Sequence, residues 1–179
     1  MYWKKKTRKS EGRAIRLCLL TACAAVLLCG VAAGLDRLGD LQARFDKETH
    51  SGTKVKMMEK LTDAQFDVER KAIGTSDFST VGLTLEKYRD NMRACLELLK
   101  KQDPDADRHP SGYRQLELQL RRGIREVEDT MQVAPPEVQP PLQIVRKDLL
   151  DMDDELIRLL FPRRTPEPQK VPPAPEVKP

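Results

Sequence analysis

Aromatic side chains and histidines are scarce in this 179-residue chain. Phe, Trp and Tyr together make up 4% of the residues, there are two histidines, and the charged residues make up 34%. A composition this charged and this poor in aromatics favours helices with solvated faces over a β-sandwich. No segment shows the strict alternation of apolar and polar residues that predicts a strand. The sequence therefore predicts an all-α protein with room for one modest domain.

The motifs that commonly carry chemistry are also missing. The nine glycines are dispersed, and the chain contains neither a Gly-rich phosphate loop nor an HExxH zinc motif. Both histidines, His50 and His109, fall in predicted loops, and no serine or cysteine lies in the context of a nucleophile elbow. We therefore expect a protein that is not an enzyme. We predict no catalytic, cofactor-binding or metal-binding residues, no cofactor and no small-molecule substrate.

Only one of the four cysteines lies outside the apolar N-terminal run. Cys18, Cys23 and Cys29 lie in a long apolar run, where cysteine acts as a small hydrophobe, and only Cys95 lies beyond it. One thiol cannot build an intramolecular disulfide framework, nor a zinc site without other ligands. We predict that Cys95 is a buried core thiol. An intermolecular disulfide across a dimer is the alternative.

The net charge of +4 is unevenly distributed. Residues 1–35 carry seven Lys and Arg against one Glu, residues 36–161 carry 21 basic and 25 acidic side chains, and residues 162–179 carry four basic and two acidic. The positive charge therefore lies at the two ends, and the middle is mildly acidic. Because nucleic-acid binding needs a basic surface on the folded domain, we expect no nucleic-acid partner.

The apolar run covers residues 17–35 and contains no charge. As a helix its 19 residues would span about 28 Å, which is close to the thickness of a bilayer core. The basic flank, residues 1–16, is expected to stay in the cytoplasm, so that the C-terminal part is periplasmic or extracellular. We interpret the run as a single-pass signal anchor that binds the membrane. A signal peptide cleaved after Val31-Ala32-Ala33, giving a secreted or periplasmic protein, and a lipoprotein modified at Cys23 are the alternatives.

Apolar spacing predicts a bundle of about four antiparallel helices over residues 53–161, preceded by a helical stalk or linker at residues 36–52. The predicted helices are about Thr53–Ile73, Asp77–Lys101, Ser111–Gln132 and Pro141–Phe161. The second is the clearest, because its apolar residues recur at alternating steps of four and three, as in a coiled coil. This seam consists of Val81, Leu85, Tyr88, Met92, Cys95 and Leu99.

Glycine, proline and capping residues mark the ends of these helices. Gly74 is placed to end the first helix in a left-handed conformation, and Ser76 or Asp77 can cap the second. Proline pairs and Asp103-Pro104 account for the other ends. Seven prolines among residues 162–179 predict a disordered, extended tail. A spacer or docking strip around Pro172–Pro175 is the alternative interpretation.

Three charged clusters could carry chemistry. Asp103, Asp105 and Asp107 begin like a calcium loop, but Arg108 and Arg114 stand where a glycine and a bidentate glutamate would be needed, so we expect a solvated loop. The other two clusters are predicted to be solvated faces that either pair with each other or meet a charged partner. They are the acidic Asp151, Asp153, Asp154 and Glu155, and the basic Arg121, Arg122 and Arg125.

The stretch Phe78–Leu99, with Leu83–Arg89 after a Gly-ended first helix, resembles helical-hairpin segments in uncharacterised bacterial membrane-anchored or exported proteins of unknown function. It is also similar to tetratricopeptide hairpins, although the 34-residue signature does not recur. The resemblance covers about a third of the chain, implies a bacterial envelope setting and transfers no functional residue.

The leading hypothesis is thus a non-enzymatic, membrane-anchored envelope protein whose helical bundle serves as an interaction or scaffolding module. Its partner would be another protein, or a second copy through the helix seams. The alternatives are a secreted helical binding or chaperone-like protein and, less favoured, a metal-binding protein or enzyme.

Overall fold

The computed structural model describes residues 37–162, which form five α-helices and one short 3-10 turn and contain no strand. The helices are α1 (37–47), α2 (Ser51–Gly74), α3 (Phe78–Gln102), α4 (Pro110–Val133) and α5 (Gln139–Leu160), and the 3-10 turn is Pro136–Val138. The all-α prediction is confirmed for this part of the chain. The basic flank, the apolar run and almost all of the Pro-rich tail lie outside the described residues. Within residues 37–162, no helix is both long and apolar enough to span a bilayer.

The helix ends follow the sequence signals with one exception. Asp77 caps α3, because its carboxylate accepts a hydrogen bond from the backbone N–H of Thr80 at 3.1 Å. Gly74, however, is the last residue of α2, and the left-handed residue is Ser76, with φ of 59°. The N–H groups of Ser76 and Asp77 bond to the carbonyls of Ile73 and Ala72, which closes a Schellman motif two residues later than predicted.

The bundle is made of two helical hairpins, since α2 packs most extensively on α3 and α4 on α5. The hairpins lie side by side, with α2 next to α4 and α3 next to α5. Ion pairs between α2 and α4 advance along both helices together, which shows that these two helices are parallel. The pairs are Asp63–Arg122 at 2.6 Å and Arg70–Glu126 at 2.9 Å. The same holds for α3 and α5, with Arg93–Asp148 at 3.2 Å and Lys100–Glu155 at 2.8 Å.

The core takes buried apolar side chains from all five helices, and Tyr88 of α3 lies within it. The whole predicted seam of α3 is buried, with no member more than 2% exposed. The ring of Tyr88 lies 5.1 Å from that of Phe66, and its hydroxyl donates to the carbonyl of Gln119 at 2.6 Å. Gly123 faces this ring so closely that a methyl group there would overlap it. The seam is therefore covered within a single chain.

Helix α1 packs on the bundle, although the sequence predicts a stalk or linker over residues 36–52. Phe45 is 1% exposed, with the ammonium of Lys54 4.5 Å from the centre of its ring. The side chains of Gln42 and Asn91 exchange two hydrogen bonds, of 3.0 and 2.9 Å, which tie α1 to α3. Leu38 and Leu41 are partly buried and also pack against the core, so the apolar face of α1 lies on the bundle. The non-helical residues between α1 and α2 are residues 48–50.

Candidate functional site

The aspartates that begin like a calcium loop serve the connection between α3 and α4. One carboxylate oxygen of Asp103 accepts from the hydroxyl of Ser51 at 2.8 Å, and its carbonyl accepts from Tyr113 at the same distance. Asp105 forms an ion pair with Arg108 at 3.2 Å. Among residues 37–162, no group of three or more Asp, Glu, His or Cys side chains is placed to hold a metal ion.

The acidic and basic clusters are spread over several partners. Asp151 pairs with Lys147 at 2.7 Å within α5, whereas Glu155 reaches Lys100 on α3. Burial raises the pKa of Asp153, and the charge of Arg121 opposes that rise. In the basic cluster, Arg121 pairs with Glu117 and Arg122 with Asp63. These groups face different neighbours and do not converge on one binding point.

Cys95 is a free thiol buried in the core, as predicted. Burial raises the pKa of this thiol to about 12, which leaves essentially no thiolate at neutral pH. A thiol that is neither ionised nor exposed does not act as a nucleophile and does not reach a second chain. The geometry disfavours the alternative of an intermolecular disulfide.

A polar cleft of about 410 Å³ lies at the end of the bundle where α2 begins and α3 meets α4. Its lining includes Lys56, Asp103, His109, Ser111 and Gln115. This cleft was not predicted, because Lys56 is far along the chain from most of the other lining residues. Within the described part of the chain, His109 makes no side-chain hydrogen bond to Ser111 or Asp103. The contact that would activate a serine nucleophile is therefore not formed.

A second cavity, the α1–α3 groove, lies between α1, α2 and α3. It measures about 350 Å³ and is lined by Leu38, Gly39, Gln42, Gln65, Val68, Thr80, Leu83, Thr84 and Lys87. Most of its accessible surface is apolar, and Leu83 on its rim is 65% exposed. Gln65 is 1% exposed, and its Oε1 has no hydrogen-bond partner among the described residues. The groove is thus an apolar depression with one unused acceptor.

Helix α2 buries a row of polar side chains that the sequence analysis missed. Thr62, Gln65 and Glu69 are each at most 1% exposed, and each has one buried oxygen without a partner in the described structure. They were not predicted because the buried face of this helix was identified from its apolar residues alone. Their spacing of three and four residues, interleaved with Met58, Leu61 and Ala72, was the available signal.

Glu69 is the most perturbed carboxyl of the described residues. Its Oε1 accepts a hydrogen bond from the hydroxyl of Thr130 on α4 at 2.5 Å. Burial raises its pKa from 4.5 to about 7, and the Thr130 hydrogen bond partly opposes the rise. The charge of Glu126 raises the pKa further, and that of Arg70 lowers it. The group is therefore close to half-protonated at neutral pH.

No protein-family model, no curated protein and no solved structure matches this chain.

Proposed function

We propose that this protein is a non-enzymatic, single-pass membrane protein of the cell envelope, which presents its helical bundle outside the cytoplasm as an interaction or scaffolding module. The main support is that the reactive groups singled out by the sequence take part in packing. Cys95 is buried, Asp103 holds the α3–α4 connection, and the charged clusters form dispersed ion pairs.

The anchored location is supported by the sequence. Residues 17–35 carry no charge, and seven basic residues precede them. A charged side chain at the centre of such a run costs about 2.5–3.5 kcal/mol on insertion. Leu27→Arg should therefore reduce the fraction of the chain that resists alkaline extraction from membranes, and Leu27→Ile, the matched control, should leave it unchanged.

The intact mass of the membrane-bound protein separates the anchored form from the secreted alternative. The full-length mass in the membrane fraction supports the anchor. Loss of residues 1–33 with release of the remainder would overturn it in favour of a secreted helical protein.

The proposal that the loop of Asp103 binds no calcium is tested by a calcium titration. We expect no change in Tm, because the carboxylate of Asp103 is held by Ser51 and the loop lacks a bidentate glutamate. A rise in Tm that depends on the calcium concentration would contradict the proposal.

The interaction module is tested with a photo-cross-linker placed at Leu118, which is 63% exposed on α4. A defined cross-linked species is expected on intact cells. It should persist with Gly82→Ala, a change at a site with open space, and disappear with Gly123→Val, which forces a side chain into Tyr88. Cross-linking that is equally strong in both variants would show that the folded bundle is not what is recognised.

A further inference from the structure

The α1–α3 groove lies between α2 and α3, next to the N-terminal end of α1. Helix α1 has Leu38 and Phe45 packed against the core, and Leu38 also forms one end of the groove. Beyond Leu38 the groove between α2 and α3 stays open, where Val68 faces it from α2 and Leu83 from α3.

The contacts between α1 and α3 define a register. Gln42 bonds to Asn91, 49 residues further along the chain. At the far end, the side-chain amide of Gln102 donates to the carbonyl of Thr49, which lies just after α1 and 53 residues before Gln102. The two contacts advance together, so this segment and α3 run in the same direction. The register places Leu38 level with Lys87, and both residues do line the groove.

The same register can be extended to the residues that precede α1. Leu35 precedes Leu38 by three residues, and a continuous helix would bring its position level with Thr84, a residue of the groove. Spacings of three and seven residues would put Leu35 on the face of Leu38 and Phe45 if the helix continued upstream. The side chain of Leu35 would thus extend the apolar face of α1 and lie over the apolar α1–α3 groove.

We propose that α1 continues one turn upstream and that the chain's own Leu35 docks in the α1–α3 groove, between Val68 and Leu83. Covalent connection favours this occupant over a partner helix or a second copy, since residues 34–36 directly precede the groove and their effective concentration there is high. The groove also has room for a water molecule on the unused oxygen of Gln65.

The consequence for function, which rests on the proposed membrane anchor, is that the bundle is held in a fixed orientation against the bilayer and does not swing on a free tether. Docking of Leu35 leaves residues 17–33 for the membrane, and 17 residues lie within the range of about 17–25 that spans a bilayer. Docking also survives cleavage after Ala33, because Leu35 is retained.

Disulfide trapping in the full chain tests the docking. In a background with Cys18, Cys23 and Cys29 replaced by alanine, Leu35→Cys is combined with Thr84→Cys. The matched control combines Leu35→Cys with Leu118→Cys, which lies on α4 away from the groove lining. We expect the first pair to form an intrachain disulfide at least about tenfold faster under mild oxidation, because docked helices hold the two β-carbons close.

Equal rates for the two pairs would overturn the proposal, and a disulfide-linked dimer of the first pair would assign the groove to a second copy. Thiol labelling at Leu83→Cys gives an independent test. Leu35→Asp should raise the labelling rate several-fold and Leu35→Met should not, whereas labelling at Leu118→Cys should respond to neither. Failure of Leu35→Asp to expose the Leu83 position contradicts the docking.

These results are separable from the location of the protein. A soluble chain in which the first pair cross-links would refute the anchor and keep the docking. A membrane-bound chain in which it does not cross-link would refute the docking and keep the anchor.

Discussion

Glu69 should make the stability of the bundle fall as the pH rises through neutrality. The folded state holds the proton of this carboxyl more tightly than the unfolded chain does, because burial raises its pKa from 4.5 to about 7. The stabilisation is complete below about pH 4.5 and is lost as the pH rises through 7. Each pH unit between the two values changes the free energy of unfolding by about 1.4 kcal/mol, so the total loss is about 3 kcal/mol.

The perturbation that isolates this effect is Glu69→Gln. The amide is uncharged at every pH and still offers an oxygen to the hydroxyl of Thr130, which donates to Glu69 at 2.5 Å. Relative to the wild type, the variant should gain about 2–3 kcal/mol of stability between about pH 5 and about pH 8. Other titrating groups cancel in this difference, because both proteins contain them.

The measurement is urea-induced unfolding followed by helical circular dichroism at the two pH values. Glu59→Gln is the matched control, since it makes the same chemical change at an exposed position of the same helix. This control shows whether the gain belongs to the buried position, and we expect Glu59→Gln not to reproduce the gain of Glu69→Gln. If the wild type instead gains on Glu69→Gln as the pH rises, the ionised carboxylate is stabilised in the fold and the reasoning is wrong.

Three further predictions concern the packing of the chain. Ser76→Gly should raise the free energy of unfolding by about 1 kcal/mol, because φ at this position is 59° and glycine adopts that conformation without strain; an unchanged urea midpoint would count against it. Gly123→Ala should cost about 1–3 kcal/mol because the new methyl overlaps the ring of Tyr88, whereas Gly82→Ala, with open space around it, should gain about 0.5–1 kcal/mol; similar thermal midpoints for the two would contradict this packing. With Cys18, Cys23 and Cys29 replaced by alanine, Cys95 should react with a thiol reagent only after denaturant is added, and rapid labelling of this native variant would place Cys95 at the surface.

Much of the fold was accessible from local signals. The alternating apolar spacing of the second helix predicted a seam that is buried in full, and Asp77 and the proline pairs placed helix ends to within a few residues. Such signals act over one or two turns, so the sequence expresses them directly. The prediction that Gly74 would take the left-handed conformation was wrong. The hydrogen bonds that close the Schellman motif are made by the N–H groups of Ser76 and Asp77, so Ser76 is the left-handed residue.

The two cavities and the buried polar row could not be read in the same way. The α1–α3 groove combines residues from three helices, and the polar cleft joins Lys56 to residues more than 40 positions away. Glu69 resembles any solvated glutamate until Thr130 of α4 is placed beside it. Which face of a charged helix is buried depends on how many neighbours surround that helix, and this is a property of the assembled bundle.

The sequence by itself determined the helical class, the approximate helix bounds, the uncharged run at residues 17–35 and the burial of Cys95. These follow from composition and from short-range periodicity, which each segment carries alone. The tertiary structure alone decided that α1 packs on the bundle, that the α3 seam is covered within one chain and that a carboxyl lies in the core. The physical reason is that burial and the pKa of a buried group are set by contacts between segments far apart in the chain.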